Sequence, residues 1–317
     1  MTPEEPIEQP EQQIGEQKLI SDRLAKAAQL RSQGIDPYPP RFDRTHTTAE
    51  AAELFEELET ASTNEDDHPQ TEAIRVAGRI MARRGQGKAS FIDLKDGTGS
   101  VQIFARQNTM GDEAYAIIDL LDIGDIIGVE GAVIRTRRGE ISVAAAEITV
   151  LTKSMRPLPD KWGGLQDQEV RFRQRYLDLI SNERAMKNAL LRSHVVRAMR
   201  EFMHSRGFVE VETPILVPVA AGAQATPFET HHNQLDRDLF LRIATELYLK
   251  KLIVGGIERV FEIGRLFRNE GLDHDHNPEF TTIESYQAYA DYNDVMEMVE
   301  TWSPTSRRKR PAQRCFP

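Results

Sequence analysis

The sequence predicts an α+β protein in which a small antiparallel barrel precedes an antiparallel sheet flanked by helices. Two observations lead to this class. Short β-type runs separated by turn residues follow Glu72, and a long helical pattern followed by extended segments occupies the region after Gln168. The chain contains neither G-x-G-x-x-G nor the P-loop pattern, so it indicates neither a Rossmann fold nor a P-loop nucleotide site.

Length and composition are those of a globular protein with room for two domains. The chain has 317 residues, of which 39% are hydrophobic and 28% charged. Its net charge of −10 argues against non-specific coating of nucleic acid but is compatible with a local basic face. No apolar run reaches membrane-spanning length, the N-terminus lacks a signal-peptide layout, and the single cysteine, Cys315, excludes an internal disulfide. These features predict a cytoplasmic protein with no membrane partner.

Residues 1–70 are predicted to hold an acidic disordered lead-in and two helices. Residues 1–17 are rich in Glu, Gln and Pro, a composition typical of disorder. Apolar residues at helical spacing predict the first helix over residues 18–33. The second helix is predicted to start at Thr47, with Glu50 three residues later completing a capping box.

The region 71–153 reads as a five-stranded barrel, and residues 154–170 read as a linker. A helical stretch over residues 111–121 follows the third strand, and this order predicts a Greek-key barrel of the OB type. The strand runs are IRVAGRIMARR, KASFIDLKD, SVQIFARQ, DIIGVEGAVIRTRRG and EISVAAAEITVLTK.

Basic residues cluster around the first and last turns of this barrel, with Phe91 among them. Basic side chains beside an aromatic ring suit single-stranded nucleic acid. The alternative is that Phe91 belongs to the core, because half of the positions in a barrel strand point inward. The basic residues are Arg79, Arg83, Arg84, Lys88, Arg135, Arg137 and Arg138.

The third region begins with a long helix, predicted over residues 181–206 and ended by Gly207. A strand, FVEVETPIL, follows and is predicted to end at Thr213-Pro214. A further strand and a helix lead into the segment FEIGRLFRNEGLDHDHNPEFTTIESYQAYADY, which reads as two strands joined by a polar loop.

Side chains two apart in a strand share a face, so each strand of this segment presents one polar face. If the two faces coincide, Arg268 can bind a carboxylate or phosphate and Phe280 can stack on a base. Glu284 and Tyr286 can accept hydrogen bonds from an ammonium group. The alternative is surface ion pairs with solvated loop histidines. The sets are Glu262, Gly264, Leu266 and Arg268 on one strand and Phe280, Thr282, Glu284 and Tyr286 on the other.

The order FRNE, HNPEF and ExY resembles the second signature motif of the class II aminoacyl-tRNA synthetases, in its lysine-specific form. HSRGFVEVETPIL resembles the first motif, which builds the dimer interface in that family. AGAQATPFETHHNQLDRDLFLRIATELYLKKLIVGGIERVFEIGR resembles the lysine-specific members in particular. The resemblance covers residues 73–300 and implies that residues 171–300 form a class II catalytic domain with an antiparallel sheet that is incomplete.

The resemblance also implies roles for individual residues. Gly222 and Glu246 would hold the α-amino group of lysine, and Arg268 would bridge the lysine carboxylate and the α-phosphate of ATP. The remaining implied contacts are Glu270, His276 and Phe280 with ATP, Glu284 and Tyr286 with the lysine side chain, and Phe91 and Gln102 with anticodon bases. The alternative for Glu246 is an exposed charge on a helix.

The implied reaction joins lysine to tRNA(Lys) in two steps, with ATP and Mg²⁺. The lysine carboxylate attacks the α-phosphorus to form lysyl-adenylate and pyrophosphate, and the terminal ribose hydroxyl of the tRNA then takes the lysyl group. Mg²⁺ would shield the triphosphate. A homodimer through the first motif is also implied.

The resemblance ends near Glu300, and residues 301–317 form a Pro- and Arg-rich tail. The family continues with a third, Gly-rich motif and with acidic ligands for Mg²⁺ that this sequence does not contain. We interpret the tail as a frameshifted or misjoined end, with a natural short tail as the alternative. Two smaller departures are the single glycine of Ala221-Gly222-Ala223 and the charge of Asp275 beside His276.

The leading hypothesis is therefore a catalytically incomplete N-terminal fragment of a lysine-specific ligase, with little or no aminoacylation activity of its own. The main alternative is a non-catalytic tRNA-binding module with a degenerate synthetase domain. A ligase that joins lysine to a lipid or to a protein side chain is a further alternative, and the predicted barrel favours tRNA over it.

Overall fold

A computed structural model describes residues 10–61, 69–159, 164–271, 273 and 275–302. The chain divides into two compact units, Met1–Glu183 and Arg184–Pro317. The predicted linker and the start of the predicted catalytic domain therefore fall within the first unit. Parts of the predicted lead-in, linker and tail, including Cys315, lie outside the described residues.

The first unit begins with two helices, α1 (Pro10–Ser32) and α2 (Thr48–Ala61). Helix α1 starts well before the predicted position, so the expectation of disorder through residue 17 is wrong over residues 10–17. Glutamate and glutamine are good helix formers, and proline is tolerated in the first turn, which explains the longer helix.

Five strands follow the helices: β1 (Gln70–Gln86), β2 (Ala89–Lys95), β3 (Ser100–Arg106), β4 (Ile126–Arg135) and β5 (Ile141–Thr152). They pair in the order β1-β2-β3-β5-β4, and β4 pairs back to β1, which closes the ring. Only the β3–β5 pair is parallel among these strands. The predicted OB-type barrel is thus confirmed.

Short helices complete the first unit. The helical stretch predicted over residues 111–121 contains α4 (Asp112–Tyr115) and a 3₁₀ helix (Ala116–Leu120), and a further short helix, α3 (Gln107–Met110), precedes it. After β5 come α5 (Gln168–Arg173) and α6 (Arg175–Ser181). The side chain of Asp167 caps α5 by accepting a hydrogen bond from the Val170 N–H at 2.9 Å.

Strict alternation in β2 and β3 separates the core of the barrel from its outer face. Ile92 and Leu94 are fully buried, as is Ile103 on the neighbouring strand. Burial of each such side chain contributes roughly 1.5–3 kcal/mol. Phe91 has the opposite parity and lies half-buried on the outer face, so its interpretation as a core residue is wrong.

A buried ion cluster holds α1 against the barrel. Lys153 is fully buried, and its ammonium lies 2.6 Å from Asp125 and 2.5 Å from Asp122. Lys26 of α1 reaches the same Asp122 at 2.7 Å, and Arg23 donates to the carbonyls of Ser154 and Ile123 at 3.0 Å each. Removal of one partner from such a cluster is costly because it leaves a buried charge unpaired.

The start of α2 has both the predicted cap and a second one. Thr47 and Glu50 exchange hydrogen bonds at 2.8 and 3.1 Å, which confirms the capping box. Asp96, from the turn between β2 and β3, accepts from the Thr48 N–H at 3.0 Å and the Thr48 hydroxyl at 2.7 Å. Burial alone would raise the pKa of Asp96, but the hydrogen bonds from Thr48 and Thr98 lower this pKa to about 2.

The described residues of the second unit form three helices and six strands, and most of the strands are short. The helices are α7 (Glu183–Ser205), α8 (Glu246–Val254) and α9 (Tyr292–Trp302). The strands are β6 (Val209–Glu210), β7 (Leu216–Val217), β8 (Glu229–His232), β9 (Arg237–Leu241), β10 (Arg259–Phe267) and β11 (Glu279–Gln287). They form two sheets, ordered β11-β10-β6 and β7-β9-β8.

Helix α7 ends as predicted, whereas the strand after it is shorter than predicted. Gly207 adopts φ +79°, the left-handed conformation that ends helices. Pairing with β10 extends past β6 through the Val211 N–H, which donates to the Phe261 carbonyl at 3.0 Å. The predicted strand does not continue to Thr213-Pro214, since the side chain of Thr213 turns toward Glu262 and Pro214 has no N–H to donate.

Apolar side chains on helices α7 and α9 of the second unit are exposed, and β11 lies at an edge of its sheet. The exposed residues include Leu190, Leu191 and Val195 on α7 and Val295, Met296, Val299 and Trp302 on α9. In the described part of the chain, no helix combines the length and apolar character needed to cross a bilayer.

The cap on α2 predicts a pH-dependent loss of stability in Asp96→Asn. Because the folded pKa of about 2 lies below the unfolded value of 3.8, the stabilisation is present above about pH 4 and is lost as the pH falls toward 2. We expect Asp96→Asn to lower the free energy of unfolding by about 1–2 kcal/mol at pH 7 and by much less at pH 2.5. Urea titration followed by circular dichroism measures both values.

The matched control is Asp43→Asn, which removes only an exposed ion pair with Arg41. It should change the free energy of unfolding by less than about 0.5 kcal/mol. Equal stability of Asp96→Asn and the unchanged chain at pH 7 would contradict the capping role.

Candidate functional site

The hairpin of β10 and β11 brings the two predicted polar faces together. Glu262 lies opposite Glu284, Gly264 opposite Thr282, and Leu266 opposite Phe280. Cross-strand partners point to the same side of a sheet, so the two faces coincide as the sequence predicted. Past the end of β10, the Arg268 N–H donates to the Pro278 carbonyl at 2.9 Å, which extends the pairing by one more bond.

A buried ion pair on this face joins three segments of the chain. The guanidinium of Arg242 lies 2.5 Å from the Glu262 carboxylate, and both side chains are 4% exposed. Glu262 also accepts from the Thr213 hydroxyl at 2.7 Å, and Arg242 donates to the Arg265 carbonyl at 2.8 Å. The loop after β6, the segment after β9 and the middle of β10 are thereby held together.

Gly264 is required by the same contact. A Cβ atom at this position would lie 2.3 Å from a terminal nitrogen of Arg242 and 3.0 Å from a carboxylate oxygen of Glu262. Sequence reasoning missed Arg242 and Thr213. The available signal was a charged residue inside the apolar run LFLRIAT, a position that is costly unless the charge is paired.

Gly222 and Glu246 lie together at the start of α8. Gly222 adopts φ +94°, and an added Cβ would lie 2.9 Å from the Ala244 Cβ and 3.1 Å from the Glu246 Cβ. The Gly222 backbone therefore lies directly against the base of the Glu246 side chain. The close approach and the left-handed backbone both favour glycine here.

Acidic and phenolic groups surround an ammonium ion beside this corner. Lys250 places its ammonium 2.5 Å from the Glu246 carboxylate and 5.8 Å from the centre of the Tyr286 ring. Burial, followed by the charges of Glu246 and Glu284, raises the pKa of Tyr286 to about 12. Tyr286 thus remains protonated at neutral pH, and this corner of the site favours cations. Glu246 is half-buried and is paired with Lys250 one turn farther along the same helix.

Arg268 has an unused donor next to an aromatic ring. Its guanidinium carbon lies 5.3 Å from the centre of Phe280, and its Nε is buried with no hydrogen-bond partner in the described part of the chain. A buried guanidinium N–H without a partner is costly, so this group is suited to bind an anion. One face of Phe280 is already covered by Arg268, which leaves the other face for a base.

Glu270 and His276 occupy the loop side of the hairpin. The Glu270 carboxylate accepts a long hydrogen bond of 3.4 Å from the Thr226 N–H. His276 is exposed, and its Nδ1 lies 2.8 Å from the Asp273 carboxylate. Hydrogen bonds from the Asp275 and His276 backbones and from the His276 ring lower the pKa of Asp273. His276 is thus held within its own loop, and His274 lies outside the described residues.

The barrel carries a second candidate site, a groove with a volume of about 1410 Å³. Phe91 and Phe104 stack across β2 and β3, with ring centres 4.6 Å apart and an interplanar angle of 6°. Gln102 lies on the same outer face, and its side-chain oxygen accepts from the Ser142 hydroxyl at 3.0 Å. The two predicted residues, Phe91 and Gln102, are therefore both part of the groove.

Five arginines also line the groove: Arg84, Arg106, Arg135, Arg137 and Arg138. Three of the predicted basic residues are not part of its lining. Arg79 donates to the Gly124 carbonyl at 2.7 Å and Arg83 to the Leu121 carbonyl at 3.1 Å, so both anchor a loop of the barrel. Burial lowers the pKa of Arg79. Lys88 is exposed outside the groove, and Arg106 and Phe104 were not predicted although they alternate with Gln102 along β3.

Among the described residues, no group of three His, Cys, Asp or Glu side chains is placed to hold a metal ion. No residue of either site is therefore assigned to Mg²⁺.

Two family models match the chain over the regions just described. Residues 167–306 match the class II tRNA synthetases (D, K and N), and residues 74–151 match an OB-fold nucleic acid binding domain. The second match coincides with the closed barrel, and the first contains the hairpin and the corner around Glu246.

Curated proteins named lysine–tRNA ligase are similar over most of the chain. The protein of Dehalococcoides mccartyi (strain 195) is 54% identical over 285 residues, 90% of this chain and 56% of its own length. Those of Carboxydothermus hydrogenoformans and Bacillus mycoides are 53% and 50% identical, over 89% and 91% of this chain and 56% and 57% of their own lengths. The chain thus spans little more than half the length of these relatives.

Removal of one partner of the Arg242–Glu262 ion pair should strongly lower the stability of the fold. Arg242→Met leaves the Glu262 carboxylate buried without its partner and should lower the free energy of unfolding by about 3–5 kcal/mol. The double substitution Arg242→Met with Glu262→Leu should recover most of this loss. Urea unfolding of the three chains measures the coupling.

The matched control is Arg265→Met, because Arg265 pairs with Glu279 at 3.1 Å on the exposed side of the same hairpin. It should cost less than about 1 kcal/mol. A loss below 1 kcal/mol in Arg242→Met would show that the pair does not hold the hairpin.

Proposed function

Because the chain belongs to the class II tRNA synthetases, in the D, K and N group, we propose that it takes part in joining lysine to tRNA(Lys), with ATP as the second substrate. The observation that carries this proposal is the arrangement around the Lys250 ammonium. Glu246 and Tyr286 already accommodate one lysine side chain, with Glu284 beside them and the anion-binding group of Arg268 on the same hairpin face. A free lysine presents the same two charges, an ammonium and a carboxylate.

In the proposed reaction, lysine binds along this face. Gly222 and Glu246 hold the α-amino group, since the Gly222 backbone lies against the base of the Glu246 side chain. Glu284 and protonated Tyr286 hold the side-chain ammonium, which takes the place of the exposed Lys250 ammonium. Arg268 then lies between the lysine carboxylate and the α-phosphate of ATP, and its free Nε–H donates to one of them.

Arg268 would act in the first step by positioning and by neutralising charge. The lysine carboxylate attacks the α-phosphorus, pyrophosphate leaves, and negative charge on the α-phosphoryl oxygens is balanced by the guanidinium. Phe280 offers its uncovered face to adenine, and Glu270 would contact the nucleotide from the loop side of the hairpin. His276 would contact the terminal phosphates once the loop opens its bond to Asp273.

The barrel groove would bind the anticodon of tRNA(Lys) in the cytoplasm. Single-stranded loops are read by aromatic stacking and by hydrogen bonds to base edges, and Phe91 and Gln102 supply both kinds of contact. The arginines of the groove offset the overall charge of −10 at this surface.

We also propose a homodimer through α7 and β6. An apolar groove of about 470 Å³ lies between α7 and the back of the hairpin, lined among others by Leu191, Val195, Met199 and Ile283. The same stretch of α7 exposes Leu190. Exposed apolar surface of this kind is typical of interfaces between subunits.

Arg268 provides the test of the enzymatic proposal. This chain spans 56% of the length of the Dehalococcoides mccartyi relative. The assay therefore uses a chimera in which residues 74–302 of this chain replace the matching segment of that relative. The chimera should aminoacylate tRNA(Lys) with lysine, and Arg268→Ala should lower kcat/KM at least about 100-fold. Arg265→Ala, on the opposite face of β10, should remain within about threefold of the chimera.

Aspartate and asparagine are the competing amino acids in this assay. Activation of either one in preference to lysine would contradict the proposed substrate. A chimera that folds and binds tRNA(Lys) but activates no amino acid would favour the non-catalytic tRNA-binding module.

The groove predicts salt-sensitive binding of RNA by this chain. Replacement of Arg137 and Arg138 by Gln should weaken binding of any RNA loop and reduce the slope of log K against log salt by about 1–1.5, since each phosphate contact contributes about 0.7. Fluorescence anisotropy between 50 and 300 mM salt, roughly a sixfold range, measures the slope. Arg75→Gln, which removes an exposed arginine paired with Glu130, is the control and should leave the slope unchanged. An unaltered slope in the double variant would indicate that Arg137 and Arg138 do not contact RNA phosphates.

A further inference from the structure

Three side chains on the outer face of β2 and β3 form one continuous stack. Phe91 and Phe104 are cross-strand partners, 4.6 Å apart and nearly parallel. Arg106, two residues farther along β3 and on the same face, places its guanidinium 4.9 Å from the centre of Phe104. The order of the stack is therefore Phe91, Phe104, Arg106.

Both faces of Phe104 are occupied in this stack. A ring has two faces, and Phe91 covers one of them while the guanidinium of Arg106 covers the other. Aromatic pairs and cation–π contacts are each favourable, and together they hold Phe104 upright on the sheet. A nucleobase could stack on Phe104 only by displacing one of its two neighbours.

Phe91 differs because only one of its faces is covered. Its other face points away from β3, toward β1, where the residue opposite Phe91 is Arg84. The side chain of Arg84 extends along the groove to Asp93, two residues after Phe91. A guanidinium nitrogen of Arg84 lies 2.7 Å from the Asp93 carboxylate. This leaves the outer face of Phe91 as the open aromatic surface of the stack.

We infer that Phe104 is a positioning residue for RNA binding and that Arg106 secures it, so that the stack presents one aromatic face to one unpaired base. The inference rests on the proposed function, because it assigns the groove to a single-stranded RNA loop. Phe104 acts through Phe91: it fixes the ring plane of Phe91 before the RNA arrives and so lowers the entropy lost on binding. Arg106 acts through Phe104 and not through a phosphate.

The test compares two RNA hairpins with equal stems: the anticodon stem-loop of tRNA(Lys), and the same stem with an all-adenine loop. Binding to the purified chain is measured by fluorescence anisotropy over a range of salt concentrations. Phe91→Leu and Phe104→Leu should each weaken binding of the tRNA(Lys) hairpin about tenfold, with no change in the salt slope. The double variant should be no weaker than either single variant, because the two residues act as one unit.

Conservative variants supply the rescue and the fold control. Phe104→Tyr keeps a stacking ring and should bind within about twofold of the unchanged chain. Arg106→Lys keeps the charge but loses the planar guanidinium, and should weaken the tRNA(Lys) hairpin about threefold at an unchanged salt slope. Thermal unfolding of each variant confirms that the barrel is intact. If Phe104→Leu does not fold, Arg106→Lys decides the outcome.

Distinct results separate failure of this inference from failure of the proposed function. Normal binding by Phe104→Leu alongside a tenfold loss in Phe91→Leu overturns the positioning role and leaves anticodon binding in place. Additive losses in the double variant would mean that Phe104 contacts the RNA directly, and they also overturn the positioning role. If the unchanged chain does not distinguish the two hairpins, both proposals fail.

Discussion

The buried ion pair between Arg242 and Glu262 is the constraint on which the candidate substrate site depends. Two opposite charges that are nearly removed from water tolerate little displacement, because each is stabilised only by the other and by the hydrogen bonds around them. This pair positions the middle of β10, and the strand pairing transmits that position to β11. The spacing of Arg268, Glu284 and Tyr286 is therefore set by a buried pair on the same face that presents them.

The two candidate sites use the same geometric device with different chemistry. In both, neighbouring strands carry partners that share one face, so residues distant in the sequence lie within a few ångströms of each other. The hairpin presents charged groups beside a buried ion pair, which suits a small ligand with separated charges. The barrel presents stacked rings with arginines at the margin, which suits a loop of single-stranded RNA. Exposed apolar residues on α7 and α9 add surfaces of a third kind, which suit contacts between protein segments.

Local patterns in the sequence were sufficient for much of this structure. The capping box of Thr47 and Glu50, the alternation along β2 and β3, and the shared faces of the hairpin all follow from the period of the backbone, which is a local property. The order FRNE, HNPEF and ExY indicated the class II synthetase family, and the matching family model confirms it. The prediction of disorder from the Glu- and Gln-rich composition was wrong over residues 10–17, which form the first turns of α1.

Only the tertiary structure decided which face of a strand meets the core and which distant residues become partners. The alternation along β2 does not by itself determine whether Phe91 points into the barrel. The closed barrel buries Ile92 and Leu94 in its interior, so Phe91, which has the opposite parity, lies on the outer face. Arg79 and Arg84 are indistinguishable as basic residues of one strand, yet one anchors a loop carbonyl and the other lines the groove. Arg242 and Glu262 are separated in the sequence by α8 and the turn after it, and they become partners only when these elements pack. The sequence determined the period and the chemistry of each element, whereas burial and long-range pairing arise only when the elements pack.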